Sequence, residues 1–285
     1  MAHGLKSADA WRAWIAELAA RDPHGRRVGA RQHRYVVDAP LGDARVRALE
    51  DALALQLPGD HREFVATISG GGAGPYHGLL PLDHDVQRRC AAGTFAFTAP
   101  TSNEELDARA AAHGADPVYA GVLGLAHVGC GAMALLVVRG AAAGQVWLDA
   151  RDAGAGVTPI APTFTAFVQD WIERTAQNQL PRTLLPPGRC ALPAAMSSFL
   201  SAWEAQHGLA PGSIDAAQLR DALGVIGPRA IALKMELDRP FFAAGDAVDP
   251  CPGCEVLIDN LRARGLRPDA VAPGWPPIPL RAPAA

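Results

Sequence analysis

Between positions 70 and 78 the chain places Gly70, Gly71, Gly72, Gly74, Pro75 and Gly78, six breaker residues in nine positions. Ordering glycine in regular structure costs roughly 0.5–1 kcal/mol relative to alanine. Such a cluster therefore marks backbone angles or close approaches that side chains would forbid. It follows a short helical segment and precedes the apolar run Leu79, Leu80, Pro81, Leu82. Tyr76 lies within it and reads as an aromatic surface anchor with a polar tip.

No nucleotide-binding signature accompanies the loop. The Lys-Ser/Thr of a P-loop is missing, as is the spacing of a dinucleotide fingerprint. The helix precedes the glycines, so no helix N-terminus faces an anion there.

The 285 residues allow one large or two ordinary domains, and 49% hydrophobic content supplies a core. Net charge is −3, too small to imply nucleic acid or membrane as a partner. Lys6 and Lys234 are the only lysines among 26 basic residues, leaving 24 arginines. With the abundant Ala, Gly and Pro, this fits GC-rich codon usage more than phosphate recognition.

The first 22 residues show no n-region and h-region of a signal peptide. Residues 121–138 are weakly charged but hold four glycines, so they read as two strands around a glycine turn and not as a spanning helix. A soluble, cytoplasmic protein is expected.

Helical spacing of Trp11, Trp14, Ile15 and Leu18 predicts a helix over 7–20. The basic segment 21–34 reads as a solvated loop, with phosphate contact as the alternative. Val46, Leu49, Leu53 and Leu57 predict a helix over 43–56, and Pro58 suits the first turn of another that carries Phe64 and Ile68. Residues 94–98 alternate as a strand does. Ser102 and Glu105 have capping-box spacing before a helix ending near Gly114.

Residues 118–125, 132–138 and 145–149 read as successive strands joined by glycine turns, which implies mainly antiparallel pairing. Phe164, Phe167, Val168, Trp171 and Ile172 give the stripe of a helix over 162–176. Prolines 181, 186, 187 and 193 mark a linker. Beyond it, Met196, Phe199, Leu200 and Trp203 form another stripe. Residues 231–238 alternate with period two and favour a strand slightly. A last helix falls near 256–261, before a proline-rich tail.

Three motifs carry candidate chemistry. Asp83, His84 and Asp85 carry groups for metal or acid–base work, but adjacent strand residues point to opposite faces, so a polar turn is the simpler reading. Cys251-Pro252-Gly253-Cys254 precedes a helix, where a thiolate would be stabilised. It is open to structural, redox and metal readings. Zinc needs two further ligands; Cys190 and His207 are the nearest candidates and lack motif spacing. His127, in an apolar run, reads as a hydrogen-bonded core residue. Five cysteines, Cys90, Cys130, Cys190, Cys251 and Cys254, do not form a disulfide framework.

The run Leu57-Pro58-Gly59-Asp60-His61-Arg62-Glu63-Phe64, followed by the glycine loop, resembles the SUKH superfamily of Smi/Knr cell-wall-regulator type. Residues 121–125 with Gly129-Cys130-Gly131, the stretch Gly144-Gln145-Val146-Trp147-Leu148-Asp149, and the helix from Phe164 to Trp171 continue the resemblance in order. It covers roughly residues 41–175. Position 61 is His where that family often has Tyr.

The resemblance implies an α+β fold with a mixed, curved sheet flanked by helices; the hairpins make that sheet mainly antiparallel, and a smaller, mostly helical C-terminal segment is expected outside the resemblance. The resemblance also implies a protein-binding role without catalytic residues or cofactor. Many bacterial members are thought to be immunity proteins against polymorphic toxins. The expected organisation is a domain over 1–179, a linker over 180–193 and a small C-terminal domain over 194–285. Gly70, Gly71, Gly72, Tyr76, His77, Gly78, Asp83 and Asp85 are the expected partner-binding residues, the partner being a toxin domain and neither nucleic acid nor membrane. The alternatives are a redox or metal protein acting through Cys251 and Cys254, and a general scaffold.

Overall fold

The computed structural model describes residues 7–82 except 26, 85–113, 116–177, 179, 191–222 except 216 and 220, 240–241, 249–255 and 257. Helices α1 (Ala8–Arg21), α2 (Ala30–His33), α3 (Asp43–Leu53), α4 (Gly59–Thr67), α5 (Asp85–Ala91) and α6 (Asn103–His113) precede the sheet. Strands β1 (Val122–Gly129), β2 (Ala132–Val137), β3 (Val146–Asp149) and β4 (Val157–Ala161) follow, then helices α7 (Phe164–Ala176) and α8 (Ala191–Gln206). The sheet order is β1-β2-β3-β4, and every pairing is antiparallel. The architecture is α+β, as expected.

Local chemistry explains most boundaries. Ser7 caps α1 by accepting the Ala10 N–H at 3.2 Å. Ser102 and Glu105 form the reciprocal capping box at α6. Thr163 caps α7. Pro58 stands one position outside α4, at its N-cap.

The stripe on α7 buries Phe164, Phe167, Val168 and Trp171. Trp171 meets Trp11 at 5.9 Å and Trp14 at 5.2 Å, while Phe64 of α4 lies edge-on to both Trp11 and Phe164. This aromatic layer joins α1, α4 and α7. Burying each of its large side chains contributes about 1.5–3 kcal/mol.

Several expectations are corrected. Phe95 and Phe97 are buried alternately, but 94–98 joins no ladder; the Phe95 N–H makes a single bond to the Arg139 carbonyl. Residues Pro117–Tyr119 form a 3-10 turn capped by Asp116, so β1 starts at Val122. Strand β4 is not legible in the sequence because Pro159 interrupts its pattern; on an outer strand, proline is tolerated. Helices α2 and α5 are too short to show a periodic stripe. The basic segment folds around buried Asp22, which accepts the Arg27 N–H at 2.9 Å and the Tyr35 hydroxyl at 2.7 Å. Helix α8 begins at Ala191, inside the expected linker. Residues 231–238 and the tail lie outside the described residues. No described helix is long and apolar enough to cross a membrane.

Candidate functional site

The glycine loop does not stand on the surface. Gly70, Gly71, Tyr76, His77 and Gly78 are buried, and Gly72 is half-buried. Tyr76 is 5% exposed and stacks on Phe167 with ring centroids 6.1 Å apart. The expectation of a surface anchor is therefore wrong.

The physical reason lies at the free edge of β1. An unpaired strand edge must be satisfied or covered. Here the loop supplies a miniature ladder: Leu80 N–H donates to the Leu125 carbonyl at 2.8 Å and His77 N–H to the His127 carbonyl at 3.2 Å. One layer further out, Gly72 and Leu79 exchange both backbone bonds, and Ala73 N–H donates to the Val36 carbonyl at 2.6 Å. The layers approach so closely that a β-carbon at Gly72 would stand 2.4 Å from the Val36 oxygen. One at Gly78 would stand 2.7 Å from the Gly72 oxygen, at a φ of +103°.

The second feature is a cluster of thiols at the tip of the β1–β2 hairpin. Cys130, Cys251 and Cys254 are all buried, and their sulfurs lie within 4.8 Å of one another. Cys130 occupies the turn with φ 52°, between Gly129 at 97° and Gly131 at 79°. This left-handed run is costly for a non-glycine residue. It turns the Cys130 sulfur toward the distant segment. There, Cys254 Sγ lies at 3.6 Å, and the Cys251 N–H donates to Cys130 Sγ at 3.3 Å. The Cys130 N–H in turn donates to the Asp249 carbonyl at 2.7 Å.

His77 closes the surroundings. Its side chain is 4% exposed, and Nδ1 lies 3.9 Å from Asp249 Oδ2. Neither ring nitrogen makes a hydrogen bond of good geometry, although the Pro250 carbonyl stands beside the ring. Burial lowers the His77 pKa; Asp249, Pro250 and Cys251 oppose that shift.

A third polar group is structural. Arg151 binds Asp149 through Nε at 2.9 Å and Nη2 at 2.7 Å, and Asp116 through Nη1 at 3.0 Å and Nη2 at 2.9 Å. Two bidentate pairs hold this guanidinium over the Tyr119 ring, 5.6 Å from its centroid. Hydrogen bonds to Asp149 and Asp116 outweigh desolvation and keep its pKa above the usual arginine value. They tie the end of β3 to the 3-10 turn before β1.

Among the expected site residues, the structure brings the glycines, Tyr76 and His77 together inside the fold. Asp83 and His84 lie outside the described residues, and Asp85 opens α5. Cys190 also lies outside them. His207 stacks on Trp203 at 3.9 Å and its Nδ1 meets the Trp203 carbonyl at 2.8 Å, a local helix-end contact. Sequence reasoning missed Cys130 as a companion of the Cys251/Cys254 pair. The signal was its place between two glycines at a hairpin turn, which only the register of β1 and β2 turns into a position.

Residues 40–170, just under half of the chain, match the model of the SMI1 / KNR4 family (SUKH-1). No curated protein and no solved structure matches the chain.

Proposed function

From the SUKH-1 domain at residues 40–170 we infer that the chain works by binding another protein, and that this partner is a toxin domain which it neutralises. The family match is the observation that carries the reading. The domain's interior supports it. Gln87, Arg151 and the glycine ladder are each engaged in holding the sheet, and such closed structural pairs are poor candidates for acid–base turnover.

The expected contact residues Gly70, Gly71, Tyr76, His77 and Gly78 are buried, which favours a contact face elsewhere. Strands β1, β2 and β3 are buried along their lengths apart from half-buried His127, and the loop is interior. The face we propose for the partner is the outer strand β4 and the neighbouring α6, joined by the bridge between Thr101 and Val157. Thr158, Pro159 and Ile160 are half-buried to exposed there, as are Glu104, Glu105 and Asp107 on α6. Pro159 lacks the N–H that strand addition requires, so side chains and not a backbone ladder would recognise the partner. Acidic groups on α6 favour a basic partner such as a nuclease.

Co-expression with any toxin-like protein encoded beside this gene tests the reading. Protection of the cells, lost in Glu104→Arg/Asp107→Arg while the fold is retained, is expected. Equal killing with and without the protein overturns the immunity reading.

A further inference from the structure

We propose that Cys130, Cys251 and Cys254, completed by His77, form a structural zinc site that clips residues 249–255 onto the β1–β2 hairpin. The site is independent of the toxin-binding reading.

Sulfur spacing is the first argument. A disulfide holds its sulfurs about 2.05 Å apart. Two thiolates at about 2.3 Å from one tetrahedral zinc stand about 3.8 Å apart. Cys130 and Cys254 are separated by 3.6 Å, and all three sulfurs fall within 4.8 Å. The trio therefore has the dimensions of a metal's ligand edges.

The backbone around the cysteines points the same way. A β-carbon at Gly129 would stand 2.6 Å from Cys251 Cα, so only glycine lets the hairpin turn and the Cys251 segment touch. The N–H of Cys251 aimed at Cys130 Sγ is the kind of outer contact that steadies a metal-bound thiolate. Pro252 and Gly253 set Cys251 and Cys254 three positions apart at the start of a helical turn, on one side of it.

His77, whose ring nitrogens lie outside the group of ligand atoms within 4.8 Å of one another, would reach the fourth position by a side-chain shift. It is a buried imidazole whose ring nitrogens make no hydrogen bond of good geometry, beside the Pro250 carbonyl and with Nδ1 3.9 Å from the buried Asp249 Oδ2. Leaving such groups unsatisfied is costly. Metal on Nε2, with Nδ1 turned to Asp249, satisfies the pair in the carboxylate–histidine–zinc manner.

Three thiolates and one imidazole make a closed structural zinc set. Binding transfers three thiol protons to solvent and leaves one net negative charge on the site. Burial of all three sulfurs argues against a thiol–disulfide role, which needs access for a partner thiol.

The test uses the full-length protein, reduced and freed of metal, then titrated with zinc, cobalt(II) or copper(I). One zinc per chain is expected. Cobalt(II) is expected to give thiolate charge-transfer absorption with tetrahedral d–d bands. Cys130→Ser and Cys254→Ser should each weaken zinc binding by more than about 100-fold, while His77→Ala should alter the cobalt d–d pattern. Cys90→Ala, at a separate buried thiol whose pKa burial pushes up to about 12, should change neither. Because a cysteine variant can fail to fold, the cobalt spectrum of the unaltered protein is the deciding measurement. Absence of a thiolate–cobalt band, uptake of copper(I) but not zinc, or full zinc affinity in Cys254→Ser each overturns the proposal.

Discussion

Gln87 substitutes for a neighbouring strand at Gly124. Its Nε2 donates to the Gly124 carbonyl and its Oε1 accepts the Gly124 N–H, both at 2.8 Å. The side chain is among the most buried in the protein. With the backbone of Leu80 and His77 alongside, it completes the edge of β1 without another strand.

Gln87→Ala removes both bonds and leaves two buried backbone groups unsatisfied. Each costs about 1–3 kcal/mol. Chemical denaturation should therefore show a loss of about 2–6 kcal/mol, and amide exchange at Gly124 should accelerate more than at β2 residues.

Tyr76→Ala should act on stability and not on partner contact. The ring is buried against Phe167, so truncation should cost about 3–5 kcal/mol. Gly78→Ala should also destabilise, because its β-carbon would collide with the Gly72 carbonyl. A calorimetric melt measures both. Partner affinity of the fraction that remains folded should be unchanged.

Arg151→Ala strands Asp149, a buried carboxylate, without its cation. Breaking such a pair from one side costs about 3–5 kcal/mol. Arg151→Lys should recover only part of this, since an ammonium cannot make two bidentate contacts. Urea titrations of the two variants give the comparison.

His61 should make the protein acid-sensitive. Burial lowers its pKa from 6.5 to about 4, against a small opposing effect of Asp60. The folded state holds the neutral ring, edge-on to Phe164 at 4.8 Å. Its contribution is therefore complete above the unfolded pKa of 6.5 and is lost as pH falls toward 4. The shift corresponds to about 3 kcal/mol. In His61→Phe, stability measured between pH 7 and 4 should fall less steeply by that order.

Periodicity made the helices legible because their boundaries are local events. Ser7, Ser102 and Thr163 each cap a helix within three residues of themselves. The hairpin around Gly129 and Gly131 was readable for the same reason. Strand β4 was not, since its pairing with β3 and its place at the outside of the sheet are properties of register.

Sequence alone determined that a glycine-rich bend sits between α4 and the first strand, within an order of elements that resembles the SUKH-1 domain matched over residues 40–170. It did not determine which way that bend faces. The tertiary structure turned it inward, because the open edge of β1 needs backbone partners and only glycine lets three layers of chain approach that closely. It likewise brought Cys130 to Cys254 across 124 positions, a distance over which residue spacing carries no information about proximity.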